Sequence, residues 1–287
     1  MLQVLLQMKT WLVLDVHYLC HRAFHTARGL SWQGKPTGVI YGFLKSILTL
    51  KDEFQTDRIA FCFEHPHLYR KDIYPAYKRR RHQEKTPQER QAYTELTWQI
   101  SELRQRYLPK IGFTNILYYH GMEADDILAS IAESRPRDEQ VILVTADSDL
   151  LQCLRPNVMV YPPQKQKLLT REWFVKHYGF TPRKWAMVKA LAGCSGDGVE
   201  GIKGIGEKTA CRWVRDGLPV ASKGYRAIAC DRGHAIMRRN RRLVELPYEG
   251  CPVPTLVEDR VSRQGWKEVC HLLGMRTLVS SPPVFNQ

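Results

Sequence analysis

Two acidic clusters, Glu123-Ala124-Asp125-Asp126 and Thr145-Ala146-Asp147-Ser148-Asp149, flank one apolar run, Val141-Ile142-Leu143-Val144. Five carboxylates brought together repel one another unless a positive charge neutralises them, and hard divalent cations with a preference for oxygen do this well. Taken alone, the first cluster has an ordinary alternative, because acids in the first turn of a helix suit its macrodipole. The second cluster is more telling. Its two aspartates follow directly on a four-residue apolar run, at the carboxyl end of a buried strand, where open parallel sheets keep their sites. Trp11-Leu12-Val13-Leu14 runs out into Asp15, and Ile59-Ala60-Phe61-Cys62-Phe63 into Glu64. Three predicted strands therefore end in acid, and the chemistry implied is that of a hard metal ion held at one edge of a sheet.

The elements that must position these acids are legible in order. Strands are predicted over Trp11–Asp15, Arg58–Glu64, Phe113–Tyr119, Val141–Val144 and Val158–Tyr161, from short apolar runs bounded by polar residues and turns. Helices are predicted over Val39–Leu50, from Thr86 to about Tyr107, and over Ala124–Glu133. The second of these has Thr86 as cap, Pro87 at the first position and Glu89 at the third. Pro162-Pro163 closes the sheet region, with a linker near 163 to 169. Beyond it the pattern turns helical over Arg171–Tyr178, Pro182–Ala192, Glu207–Val214 and around His234–Leu246.

Tyr69-Arg70-Lys71, Tyr77 and the run Lys78-Arg79-Arg80-Arg81 interleave cations with tyrosines. That mixture suits backbone phosphates and stacked bases, although a charge run can also be a solvated face. Gly204-Ile205-Gly206, between Lys203 and Lys208, precedes a helix. It reads either as a turn between helices or as a helix-hairpin-helix grip whose backbone N–H groups approach a phosphate. His17, His21 and His25 share a helical face and His65 and His67 follow Glu64. Either set could ligate a metal or simply pack or face solvent.

The chain has 287 residues, enough for a large α/β unit and a smaller second one, and 43 Lys and Arg against 29 acids give a net charge of +14. A basic protein with a local acidic cluster points to nucleic acid as partner. Eight cysteines without a C-x-x-C pair argue against structural zinc and disulfide stapling and are expected as reduced, intracellular thiols. The apolar amino terminus is too short for a signal peptide and no later run spans a bilayer, so a cytoplasmic protein is expected.

From Leu12 to about Leu246 the chain resembles the 5′ to 3′ exonucleases and flap endonucleases of bacteriophages and of the amino-terminal part of bacterial DNA polymerase I. The resemblance is carried by Asp15 with Arg22-Ala23-Phe24-His25, Thr37-Gly38 with Tyr41-Gly42-Phe43-Leu44, and Tyr74-Pro75-Ala76-Tyr77-Lys78. It continues through the two acidic clusters and Gly201-Ile202-Lys203-Gly204-Ile205-Gly206-Glu207-Lys208-Thr209-Ala210.

It implies an α/β fold of PIN-like or resolvase-like type, a twisted, mainly parallel sheet flanked by helices. Residues 9–165 would form the nuclease domain, with a helical arch over about 70–110. Residues 166–287 would form a helical duplex-DNA-binding domain of helix-hairpin-helix type, its glycine-rich hairpin at about 190–214. With no polymerase region following, the free-standing, phage-like form is expected.

The resemblance further implies two Mg²⁺ ions, with Mn²⁺ able to substitute. Asp15, Glu64, Glu123 and Asp125 gather around one, with Asp126 close by. Asp147 lies between the sites, and Asp149 and Asp197 serve the second. Lys78 and Arg81 match catalytic cations at the base of the arch. Arg22, Arg70, Lys71, Tyr77, Arg79, Arg80, Lys203, Gly204, Gly206 and Lys208 are the expected nucleic-acid contacts, with K⁺ at the hairpin. Two positions depart from the pattern: Glu64 and Cys194 stand where the family usually has Asp, and a thiol is a poor ligand for Mg²⁺. The expected activity is two-metal hydrolysis of phosphodiester bonds at 5′ ends, flaps or RNA primers by a monomer. The alternative is a branched-DNA-binding protein of the same fold, weakened in catalysis by Cys194.

Overall fold

The computed structural model describes residues 9–79 and 86–280. Five strands, β1 (Lys9–Asp15), β2 (Arg58–Phe63), β3 (Ile116–Tyr118), β4 (Glu139–Val144) and β5 (Val158–Tyr161), form one parallel sheet in the order β3-β2-β1-β4-β5. The helices up to the sheet's end are α1 (Val16–Ala27), α2 (Gly38–Phe54), α3 (Tyr69–Ile73), α4 (Pro87–Glu102), α5 (Leu108–Ile111) and α6 (Ala124–Ser134). Beyond the sheet follow α7 (Arg171–Tyr178), α8 (Trp185–Ala192), α9 (Glu207–Asp216), α10 (Lys223–Ala229), α11 (Asp231–Val244), α12 (Arg263–Leu272) and α13 (Arg276–Ser280).

The central strands are apolar almost throughout because helices cover both faces. Alternate residues divide between two cores: Leu12, Leu14, Ile59, Phe61, Ile142 and Val144 meet α1, α2 and α4 on one face. Trp11, Val13, Ala60, Cys62, Val141 and Leu143 meet α6 and α8 on the other. The period of two then decides where the acids point. Asp15 is level with Cys62 in β2, and Leu14 is level with Val144 in β4. Glu64 follows directly on β2 and Asp147 lies in the turn after β4, and the charges of both act on Asp15. The connections from β1 to β2 and from β3 to β4 run on opposite faces, so β1 and β4 meet at the topological switch of the sheet.

The expected helix from Thr86 is present with both halves of its capping box, Thr86 to the Glu89 N–H and Glu89 back to the Thr86 N–H. It runs as α4 to Glu102, and Leu103–Tyr107 continue as a π-helical turn. The edge strand is shorter than expected. Residues before Ile116 bond instead to the chain near 257–260: Asn115 exchanges hydrogen bonds with the backbone of Val257, and Thr114 N–H donates to Asp259. The basic helix begins earlier than His234, at Asp231, and ends at Val244. Residues beyond 166 contribute to both cores: Phe174, Trp185, Ile202, Ile205 and Ile228 on the α6 face, and Trp266, Val269 and Leu278 on the other. All eight cysteines are free thiols, four of them buried.

Candidate active site

At the carboxyl edge of the sheet, Asp15 ends β1 and caps α1, accepting from the Tyr18 N–H (2.9 Å) and from the Thr145 hydroxyl (3.0 Å). Burial pushes its carboxyl up to about 6, aided by the charges of Glu64 and Asp147 and opposed by those two hydrogen bonds. Asp125, in the first turn of α6, is raised well above the usual carboxylate range by burial and then by Asp147 and Asp15. One of its oxygens, Oδ1, is buried without a hydrogen-bond partner. Asp147 caps the 3₁₀ turn Ser148–Cys153, accepts from the Asp149 N–H (2.8 Å), and is raised by burial and by the charge of Asp149. Three carboxylates, from the end of β1, the turn after β4 and the first turn of α6, thus stand within one another's field.

Glu123 is the opposite case. Burial alone would raise it, but the Lys78 ammonium and the Arg70 guanidinium outweigh that and hold it at about 2. It accepts from Lys78 Nζ, from the Tyr77 hydroxyl (2.8 Å) and from Arg70 Nη1 (2.8 Å). Lys78 is itself buried, lies 3.5 Å from Glu64 Oε2, and has left-handed backbone (φ 53°), with its N–H on the Asp197 carbonyl (2.7 Å). Asp149 pairs with Lys189 Nζ at 2.9 Å and accepts from the Cys194 thiol at 3.7 Å. Burial and the Asp149 charge push that thiol far up. Asp197 sits half-buried in the Ser195–Asp197 turn.

Among the described residues no three His, Cys, Asp or Glu side chains close into a coordination shell, and the Lys78 ammonium lies between Glu64 and Glu123. The donor set nevertheless fits a hard divalent cation: all-oxygen, anionic, mutually repelling, with one buried oxygen unpartnered.

Three expected site residues need correcting. Asp126 is fully buried and all its acceptor directions are taken, by Arg70 Nη1 (2.6 Å) and Nη2 (2.7 Å), by the Glu123 N–H (3.0 Å) and by the Tyr248 N–H (2.8 Å). It is an anchor and not a metal ligand. Arg70, expected on nucleic acid, is 2 % exposed and joins Asp126 and Glu123 to the Leu243 carbonyl (2.8 Å) at the end of α11. Tyr77 is buried with its hydroxyl on Glu123, so its face is not offered to bases. The histidine face does not ligate either. His17 is half-buried, accepts from the Glu64 N–H (3.2 Å), and is lowered to about 4 by desolvation and nearby positive charges, while His21 and His25 are exposed.

Arg22, Arg79, Lys203 and Lys208 are exposed and Lys71 is half-buried. Arg80 and Arg81 lie outside the described residues. Gly204 has φ 82°, and a Cβ at Gly204 or Gly206 would meet nothing within 4 Å, so that side of the hairpin is open, while Ile202 and Ile205 anchor it in the core. Thr145 and Lys189 escaped sequence reasoning. Thr145 is recognisable as the first polar residue after β4, whereas nothing local marks Lys189.

Comparison with known proteins shows the family and the fold. The family described as 5′-3′ exonuclease, N-terminal resolvase-like domain, matches residues 10–179. A 5′-3′ exonuclease of Bacillus subtilis is 31 % identical over 262 residues, covering 85 % of this chain and 84 % of that protein. A thermostable DNA polymerase I of Thermus thermophilus is 35 % identical over 208 residues, 71 % of this chain. The match spans only 24 % of that polymerase's length. A bacteriophage T5 flap endonuclease, solved as a pseudo-enzyme-product complex with DNA and metal ions, shares the fold at TM-score 0.69 and 20 % identity, covering 83 % of this chain and 90 % of that one. With residues 10–179 matched and a relative aligned over most of both chains, this chain belongs to the 5′-3′ exonuclease family of nucleases.

Proposed function

We propose that the chain is a divalent-metal-dependent 5′ to 3′ exonuclease and 5′ flap endonuclease that hydrolyses phosphodiester bonds of DNA, with RNA primers in RNA-DNA hybrids as a further substrate. The observation that carries this is the convergence of Asp15, which is buried, with Asp125 and Asp147, which are half-buried, mutually repelling and delivered by separate elements to the switch point of a parallel sheet. Asp15, Glu64, Glu123, Asp125 and Asp147 would hold one Mg²⁺, and Asp147, Asp149 and Asp197 a second, with Mn²⁺ able to replace either. When bound, such ions supply an activated water and stabilise the leaving oxygen.

The residues of the chain do the rest. Lys78 keeps an ammonium against Glu64 and Glu123, where it can neutralise a phosphate without acting as a base. Thr145 fixes the Asp15 carboxylate. Arg81 is assigned with Lys78 as a catalytic cation, and Arg22, Lys71, Arg79 and Arg80 are the assigned phosphate contacts, with an arch over about 70–110 that a single strand passes. The division into 9–165 and 166–287 assigns duplex binding to the second part, where Lys203 and Lys208 flank the open Gly204 and Gly206 backbone, which would hold K⁺ and supply positive charge toward a phosphate. The protein works as a cytoplasmic monomer. Among its described residues no helix is long and apolar enough to cross a membrane.

End-labelled 5′-flap DNA, nicked duplex and RNA-DNA hybrid, each incubated with and without Mg²⁺, test this directly. Metal-dependent release of short 5′ products is expected. Binding of all three without cleavage in either Mg²⁺ or Mn²⁺ would leave a DNA-binding protein instead. Lys78→Ala is expected to slow single-turnover cleavage more than it weakens affinity, since one charge among many adds little to backbone binding.

A further inference from the structure

Beside the acidic basin lies a row of rings that hydrolysis itself does not use. His65 follows Glu64 directly, and its N–H donates to the Met122 carbonyl (3.0 Å), while the Tyr69 N–H donates to the Gly121 carbonyl (3.1 Å). The segment after one acid is thus stitched to the segment before another, Glu123. The rings stand on this stitch. His65 and His120 have centroids 4.5 Å apart, His65 and Tyr118 5.2 Å, Tyr69 and His120 5.5 Å, and His67 and His120 6.2 Å. At one end the Arg104 guanidinium covers the Tyr118 ring at 3.6 Å. The rings are held in place: the Tyr69 hydroxyl pairs with His120 Nδ1 (2.9 Å), and His65 Nδ1 donates to the His67 carbonyl (2.7 Å). His67 and His120 are exposed and the other three rings are half-buried, so part of every ring in the row reaches solvent.

We propose that this row is a stacking platform for unpaired nucleobases of the strand whose phosphates enter the acidic site. Single-stranded nucleic acid is gripped by aromatic faces and guanidinium groups in a way that tolerates any sequence, because every base has a π-face. Rings with ordered hydrogen bonds lose little freedom on binding. Ligation of a metal by the histidines is the weaker use of them, because the Nδ1 atoms of His65 and His120 are committed and no three ligating groups converge among the described residues. The platform rests on the nuclease reading above and adds to it which part of the substrate is held: bases, not only phosphates, on the single-stranded side.

The test compares three substrates by fluorescence anisotropy without divalent metal: a flap with a normal 5′ arm, the same flap with an abasic arm, and nicked duplex with no arm. The wild-type protein should bind the normal arm about tenfold more tightly than the abasic arm, the scale of one or two stacked bases. His65→Ala/His120→Ala should lose that difference while keeping its affinity for, and Mg²⁺-dependent cleavage of, nicked duplex. His120→Ala alone, at the exposed end, should show part of the loss, and thermal melting checks that each variant is folded. Equal wild-type affinity for normal and abasic arms, or a folded double variant that retains the preference, overturns the platform. Absence of cleavage of every substrate would instead strike the nuclease reading, which the arm comparison does not depend on.

Discussion

On the α6 side of the basin, Asp15 is buried and Asp125 half-buried; desolvation raises both, aided by Glu64 and Asp147 at Asp15 and by Asp147 and Asp15 at Asp125, and Asp125 leaves an oxygen unpartnered. On the 3₁₀ side, Asp149 meets the Lys189 ammonium at 2.9 Å and the Cys194 thiol, and Lys189 also bonds the Ser148 hydroxyl (2.8 Å). One half stores repulsion that an added cation relieves, and the other carries a cation of its own. Glu123 belongs to neither extreme, because Arg70 and Lys78 satisfy it from within. Counting acids in a basin therefore overstates the charge it presents. What decides metal demand is which carboxylates the fold has already paired.

The sharpest way to break this comparison is Asp147→Ala, since Asp147 stands between the halves. Flap cleavage should fall by roughly a thousandfold or more, the scale seen when a central catalytic group is removed, with duplex affinity nearly unchanged. Near wild-type cleavage would remove Asp147 from the chemistry.

Arg70→Met comes next. It strands Glu123 and Asp126 in a buried setting and should cost about 3–5 kcal/mol of stability, as for other buried pairs that lose one partner. Urea unfolding reads this out, and a loss below 1 kcal/mol, the scale of an exposed pair, would mean that the guanidinium is a surface group in solution.

The third effect is a linkage between metal and pH. Asp15 is raised from 3.8 to about 6, and Asp125 and Asp147 move in the same direction. Raised carboxylates make the folded state bind more protons, so the contribution of these three groups to the stability of the metal-free protein is fully present below the unfolded pKa and is lost as pH rises through about 6. Mg²⁺ or Mn²⁺ should consequently raise the melting temperature clearly at pH 7.5 and much less at pH 5. Equal shifts at both pH values would contradict the stored repulsion of the α6 side.

The smallest expected effect lies on the other half. Cys194→Asp adds one anionic group beside Asp149 and should lower the Mg²⁺ concentration needed for half-maximal cleavage by about two- to fivefold, the scale of one screened charge pair. Mn²⁺, which binds softer and weaker donor sets more tightly, should show less change. Superimposable Mg²⁺ titrations would put position 194 outside the metal's reach.

The sequence by itself determined the acidic strand exits, the parallel sheet and the capped helix at Thr86. Continuous apolar runs of strand length and a Thr-Pro-Gln-Glu cap are local patterns, complete within a few residues. Asp15, Glu64 and Asp147 could be read as neighbours because equivalent strand ends of a parallel sheet share an edge. Tertiary structure alone decided what each charge meets. Arg70 reaches Asp126 and the end of α11, Lys189 reaches Asp149, and His65 reaches His120, each across a long stretch of chain. Burial is likewise a property of the assembled layers: Arg70 and Tyr77 look like surface phosphate and base contacts in a basic run, yet packing of α3 between α6 and α11 turns them inward. A side chain's type is written locally, but its partner and its dielectric are fixed only when distant segments close around it.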